Sequence, residues 1–278
     1  MGFFGAVALG VGLSACQRPP SAEHDLLMAI RQRGVVRAGV ALDSKPFGYV
    51  DAQGQPQGYD VDLLRELGRR ILGKSVAAGA SGVEFYQVIQ ATRMVAVNSG
   101  AVDLVAAVMT ITPERERVVD FTIPYYMAHQ MLMTKASHPA KHLADLAGQS
   151  VAYVNGTTSY PVFQSKIKKA PQAYKLSGYN TYTEAYQAMR RGDTQALVSD
   201  NTVLIGFRAE DCDVKILSDE LSNEPYGVAI KQSTPEWNTS SFRNALNNAL
   251  NDMTRDGTLD KLRHKWLDPL AQQCASAP

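Results

Sequence analysis

Six consecutive residues, Thr110-Ile111-Thr112-Pro113-Glu114-Arg115, have the types and spacing to hold an anion. Thr112 can cap a helix, and Pro113 suits the first helical position because it carries no N–H to satisfy. The free N–H groups of such a start favour negative charge. Arg115 adds a planar, permanently charged fork beside them, matched to the two oxygens of a carboxylate. The segment follows the apolar run Asp103 to Val108, at the carboxyl end of a strand, where open α/β sheets bind ligands. The same spacing also fits a solvated arginine on a short surface helix. Catalysis finds less support. The patterns Gx4GK[ST], GxGxxG, GxSxG and HExxH are all missing, and the five histidines (His24, His129, His138, His142, His264) are scattered. No Cys/His spacing suits a metal ion.

The elements that must position these residues alternate between strand and helix. Val35 to Leu42, Val83 to Val88 and Asp103 to Val108 read as strands. Asp60 can cap a helix through Leu72 that ends at Gly73, with Val61, Leu64, Leu67 and Ile71 as its apolar stripe. A second helix spans Gln90 to Ser99. The alternation, that of a parallel α/β sheet, then starts again. Ser150 to Val154, Tyr174 to Tyr179 and Gln195 to Ser199 read as strands between helices at Thr158 to Lys169, Thr183 to Arg191 and Thr202 to Arg208. After a strand at Tyr226 to Ile230 come two closing helices. The longer carries Phe242, Ala245, Leu246, Ala249, Leu250 and Met253 at helical spacing. Two successive patterns imply two lobes.

The 278 residues suffice for two domains, and 45% hydrophobic with 20% charged composition is that of a globular chain. With 28 basic against 27 acidic residues the net charge is +1, which argues against nucleic acid as a partner. No apolar run reaches the roughly 18–20 residues of a spanning helix. Residues 1–15 read as a secretory leader, and Leu13-Ser14-Ala15-Cys16 resembles a lipoprotein signal-peptidase site. The mature chain is then expected to begin at a lipidated Cys16, with a tether over 16–23. That leaves Cys212 and Cys274 as a candidate disulfide in an oxidising space, tying the C-terminal tail (271–278) to the body.

Ordered along the chain, further segments resemble one family. Val36-Arg37-Ala38-Gly39-Val40, Pro46-Phe47-Gly48-Tyr49 and Gly58-Tyr59-Asp60-Val61-Asp62 come first. Val102-Asp103-Leu104, Met109 to Arg115, Val119-Asp120-Phe121 and Pro124-Tyr125-Tyr126 follow. Gly156-Thr157-Thr158, Val198-Ser199-Asp200 and Tyr226-Gly227-Val228-Ala229 complete the set. Together they resemble the family 3 solute-binding proteins of ABC importers, which capture polar amino acids outside the cytoplasmic membrane.

The resemblance implies a type II periplasmic-binding-protein fold: two α/β lobes joined by two strand crossovers, with ligand in the cleft between them. Lobe one would comprise 24–124 plus 227–270 and lobe two 130–221, with hinge strands at 125–129 and 222–226. By the same resemblance Arg115 clamps the ligand's α-carboxylate, helped by Thr110 and by donors near Thr157 and Thr158, with Val108 at the adjoining strand end. Asp200 accepts from the ammonium, and an aspartate there also suits a helix cap. One ligand touching both lobes stabilises the closed state by differential affinity.

At the side-chain end, Arg93 resembles the arginine of acidic-amino-acid binders, and Lys45 is a second candidate cation. Tyr182 and Phe47 are candidate walls, or ordinary core. The leading expectation is a lipid-anchored, monomeric glutamate or aspartate binder, extracytoplasmic, partnered by a permease and needing no cofactor or metal. Glutamine or another polar amino acid is the alternative ligand. A cyclohexadienyl-dehydratase-like enzyme on the same fold, with Glu114 as its acid, and a sensor subunit are the alternative roles.

Overall fold

The computed structural model describes residues 24–73, 82–168 and 173–274, so the expected leader, Cys16 and the tether lie outside the described residues. The chain opens with α1 (Leu26–Arg33), β1 (Val36–Val40), β2 (Asp43–Ser44), β3 (Gly48–Val50), β4 (Pro56–Gln57) and α2 (Tyr59–Leu72). Then come β5 (Val83–Gln87), α3 (Arg93–Asn98), β6 (Leu104–Val105), α4 (Pro113–Glu116) and β7 (Asp120–Phe121). The middle holds β8 (Tyr126–Lys135), β9 (Ser150–Val154), α5 (Ser159–Lys166), β10 (Lys175–Tyr179), α6 (Tyr182–Arg191), β11 (Ala196–Asp200), α7 (Asn201–Glu210) and β12 (Val214–Ile216). The chain closes with β13 (Ser222–Tyr226), β14 (Ala229–Ile230), α8 (Ser240–Arg255), α9 (Thr258–Trp266) and α10 (Asp268–Gln272).

Two main sheets divide these strands. The first has the order β5-β1-β6-β14-β7, and the second the order β10-β9-β11-β8-β12 with β13 alongside β8. A small antiparallel sheet, β2-β3-β4, accompanies the first. The first sheet draws on residues up to Phe121 and again on Ala229–Ile230, so the chain passes between the sheets twice. Those passages are β8 and β13, antiparallel, with Tyr226 opposite Tyr126 and Ser222 opposite Gln130. This is a two-lobe α/β architecture with paired strands at the waist.

The sheets are mixed, where the alternation of strand and helix suggested parallel ones. β14 runs antiparallel to β6 and β7, and β8 runs antiparallel to β11, β12 and β13. The cause is β8 itself, a ten-residue strand that both crosses the waist and fills a central place in the second sheet. Its pairing saturates backbone groups that a short linker would leave to water.

Helix α2 begins at Gly58, not at an Asp60 cap, and ends at Gly73 in the left-handed region. Asp60 is therefore free to turn inward, and it is 1% exposed. The apolar stripe of α8 is buried through Phe242, Leu246, Ala249, Leu250 and Met253, which join Ile30, Leu64 and Leu67 in the largest core cluster. Each of the larger side chains among them, Phe, Leu, Ile and Met, contributes about 1.5–3 kcal/mol of burial. Cys212, beyond α7, is disulfide-bonded to Cys274, beyond α10, with Cα atoms 5.4 Å apart.

Candidate functional site

The candidate anion-binding segment forms as its residue types dictate. α4 is a single turn with Pro113 at its start, and Thr112 accepts the N–H of Arg115 at 3.3 Å. That cap fixes the Arg115 backbone, and the side chain runs inward to 7% exposure. Its Nη1 donates to the Thr110 carbonyl at 2.7 Å. Its Nη2 donates to the Gly156 carbonyl at 3.0 Å, reaching across to the other lobe. Thr110 is itself bridged to Tyr226, so this arm of the site is anchored at the waist.

Arg93 opens α3 and is only 1% exposed. Its Nη1 donates to the carbonyls of Ala107 and Val108, the second at 3.4 Å, and its Nη2 to Gly156 at 3.3 Å. The two guanidinium groups thus meet at one oxygen. Burial, and then the Arg93 charge, bring the Arg115 pKa down to about 10. Burial lowers that of Arg93 as well. Two desolvated cations side by side make a strong place for an anion. Val108, between Arg93 and Asp60, has φ 45°, a strained value for a β-branched residue. Its N–H donates to Asp60 at 2.9 Å and its carbonyl accepts from Arg93, so both sides of the strained peptide are held.

The other lobe presents carboxylates. Asp200 ends β11 at 4% exposure and accepts from Gln130 and, at 2.6 Å, from the Tyr226 hydroxyl. It occupies the N-cap position of α7, but its side chain makes no capping bond and is left to the cleft. Burial and then the Glu224 charge raise its pKa to about 7. Thr158, at the start of α5, donates to Glu224 at 2.7 Å and accepts from Gln130 at 3.1 Å. Tyr182 is 1% exposed, and its N–H donates to Asp43 of the first lobe at 3.0 Å.

Close approach of the lobes depends on two glycines. A Cβ on Gly156, at φ 79°, would lie 2.6 Å from both the Ala91 Cα and the Gln90 carbonyl oxygen. One on Gly206 would lie 1.9 Å from the Lys45 carbonyl oxygen. Only a residue without a side chain fits either place.

Three candidates stand apart from this cluster. Lys45 is half-exposed at the outer rim, bonded to Glu210 at 2.6 Å and lying over Tyr49, so it is a surface bridge between the lobes and no second cation of the site. Phe47 is fully buried among Tyr59, Tyr126 and Tyr226, with ring centroids 5.0–5.6 Å away, and is core; it only backs Tyr226. The Thr157 hydroxyl donates to Val154 at 2.7 Å and closes its own turn. Conversely, Gln130, Glu224, Tyr226 and Asp60 join the site although their sequence context does not single them out for it. Asp60 accepts from the Tyr125 hydroxyl at 2.7 Å, and burial raises its pKa to about 6. The signal for them was weak, because a lone polar residue in a strand or a first-turn aspartate has an ordinary structural use.

Residues 36–269 match the model of bacterial extracellular solute-binding proteins, family 3. The chain belongs to that family. The ABC transporter glutamine-binding protein GlnH of Bacillus subtilis is 32% identical over 88% of this chain and 85% of its own length. An ancestral arginine-binding protein, solved bound to glutamine, is 34% identical with a TM-score of 0.73, covering 84% of this chain and 98% of that one. The solute receptor for L-cysteine of Neisseria gonorrhoeae is 31% identical with a TM-score of 0.78, covering 88% and 95%. These neighbours support the type II two-lobe architecture for this solute-binding protein, and they are themselves amino-acid-binding proteins. Among the described residues no helix is long and apolar enough to cross a membrane, and no group of three or more His, Cys, Asp or Glu residues suits a metal.

Proposed function

We infer that the protein captures a free α-amino acid with an uncharged polar side chain, glutamine foremost, and hands it to an ABC permease. One observation carries this reading: Arg93 and Arg115 converge on the same carbonyl oxygen of Gly156. Cations that meet at one point serve one anion, here the α-carboxylate, with Thr110 and the start of α5 beside it. The expectation of a dicarboxylate needed the two arginines at opposite ends of the ligand. Lys45, the other candidate cation, is instead engaged by Glu210. Asp200, from the opposite lobe, takes the ammonium, so the ligand joins Arg115 on one lobe to Asp200 on the other and favours closure.

The lobes are taken as 24–124 plus 227–270 and 130–221, hinged at 125–129 and 222–226, and the mature protein as lipid-anchored through Cys16 and monomeric. A glutamate or aspartate ligand remains the second reading, supported by the burial of two guanidinium groups in one cleft. Calorimetry on the leader-free protein with glutamine, glutamate, aspartate, arginine, cysteine and histidine tests the choice. Glutamine binding tightest supports the first reading, a dicarboxylate binding tightest replaces it with the second, and no binding by any of them removes both.

A further inference from the structure

Glu224 has no part in the roles assigned above, yet it is among the most buried acids of the chain, at 2% exposure. It lies in β13, opposite Ala128, at the waist. None of the ion pairs formed among the described residues includes it. Two hydroxyls hold its carboxylate: Thr158 donates to Oε2 at 2.7 Å and Ser222 donates to Oε1. Hydroxyls satisfy its lone pairs but leave its charge in place, and a buried charge without a counter-ion is costly.

A hydrogen-bonded chain runs from this charge to the ammonium acceptor. The two amide hydrogens of Gln130 go to Asp200 and to the Thr158 oxygen, and the Thr158 proton goes to Glu224. The Gln130 carbonyl oxygen accepts from Ser159 at 3.0 Å, which fixes the amide's orientation. The Glu224 charge acts on both poles of the site, raising the pKa of Asp200 and supporting the charged form of Arg115.

We propose that Glu224 is the specificity-determining residue for ligand charge: it balances Arg93 and Arg115 together with Asp200, so that the cleft accepts a net-neutral zwitterion and disfavours a second carboxylate. The buried Asp60, whose titration responds to Arg93, adds to the same side of the balance. This inference rests on the reading of the cleft as an amino-acid site. It differs from a structural role for Glu224, which would affect every ligand alike.

The test is Glu224→Gln, which keeps the shape and an oxygen acceptor while removing the charge. Dissociation constants for glutamine and glutamate are measured by calorimetry on both proteins, with a thermal melt to establish folding. The expected result is a shift of the glutamine-to-glutamate preference toward glutamate by about tenfold, the effect of one charge across a buried site. Equal weakening of both ligands, with the preference unchanged, overturns the proposal. Failure of the wild-type protein to bind any amino acid would instead remove the reading of the cleft itself. Should Glu224→Gln not fold, proton uptake by the wild type is compared in buffers of different ionisation enthalpy. Glutamate must then bring in more protons than glutamine, because a second carboxylate enters a cleft whose cations are already balanced, and equal uptake overturns the proposal.

Discussion

Arg93 and Arg115 donate to a single acceptor, the carbonyl oxygen of Gly156, at 3.3 and 3.0 Å. Both arginines come from the first lobe and the carbonyl from the second, so the contact is at once an electrostatic focus and a seam between lobes. Like charges meet there only because burial is compensated by carbonyl dipoles and by the carboxylates opposite.

Arg115→Ala is expected to abolish binding of every amino acid. Removing one partner of a buried charged pair costs about 3–5 kcal/mol, or roughly 200- to 5,000-fold in affinity. Calorimetry with glutamine checks it, and a loss smaller than tenfold would move the carboxylate elsewhere.

Arg93 separates the two ligand readings. If both arginines serve one carboxylate, Arg93→Met lowers glutamine and glutamate affinity by similar factors. A loss confined to glutamate and aspartate would place Arg93 at the side-chain end. A thermal melt accompanies the titration, because Arg93 also holds the carbonyls of Ala107 and Val108.

Gly156→Ala is expected to impair closure more than folding. The added Cβ meets backbone of Ala91 and Gln90 at 2.6 Å, and backbone cannot swing aside as a flexible side chain would. The left-handed φ adds about 1 kcal/mol of strain. Ligand affinity should fall by at least about tenfold, equivalent to 1.4 kcal/mol. Small-angle scattering with saturating glutamine should then show a more extended particle than the wild type.

The two-lobe α/β fold and the helix start at Thr112 were legible in the sequence because each rests on local rules. Thr112 and Pro113 specify a helix start wherever they stand, and the stripe of α8 follows from spacing alone. What escaped depended on partners remote in sequence. Glu224 reads as a strand residue until Thr158, 66 positions away, is brought against it. Asp60 reads as a helix cap until Gly58 takes that place and the Val108 N–H arrives from 48 positions on. Lys45 erred in the opposite direction, since its neighbourhood fits the family text but its amine is drawn outward by Glu210.

Reduction of the Cys212–Cys274 disulfide should lower stability without altering ligand affinity, since neither residue touches the Arg115–Asp200 cluster. The sequence separation of 62 corresponds to about 4 kcal/mol of loop-closure entropy as an upper figure. Thermal melts with and without reductant, and a Cys212→Ser/Cys274→Ser variant, check it. A changed dissociation constant would mean that the C-terminal tail restrains lobe movement.

Asp200 is expected to make binding and stability depend on pH in opposite directions. Its pKa is raised from 3.8 to about 7 in the folded state, so between those values the folded protein holds a proton that the unfolded chain has lost. The ligand-free protein therefore loses stability as pH rises from about 4 through 7. Asp60, raised to about 6, contributes with the same sign over a narrower range. Ligand binding is expected to run the other way, because on the proposed reading an ammonium needs the ionised carboxylate as acceptor. Glutamine affinity should rise by about tenfold between pH 6 and pH 8, following the ionised fraction of an acid with its midpoint near 7. Asp200→Asn should abolish that rise, weaken binding at pH 8, and flatten part of the pH dependence of the ligand-free melting temperature. Affinity that stays constant from pH 6 to 8 in the wild type would show that the ammonium is held by another acid, with Glu224 then the nearest candidate through Thr158.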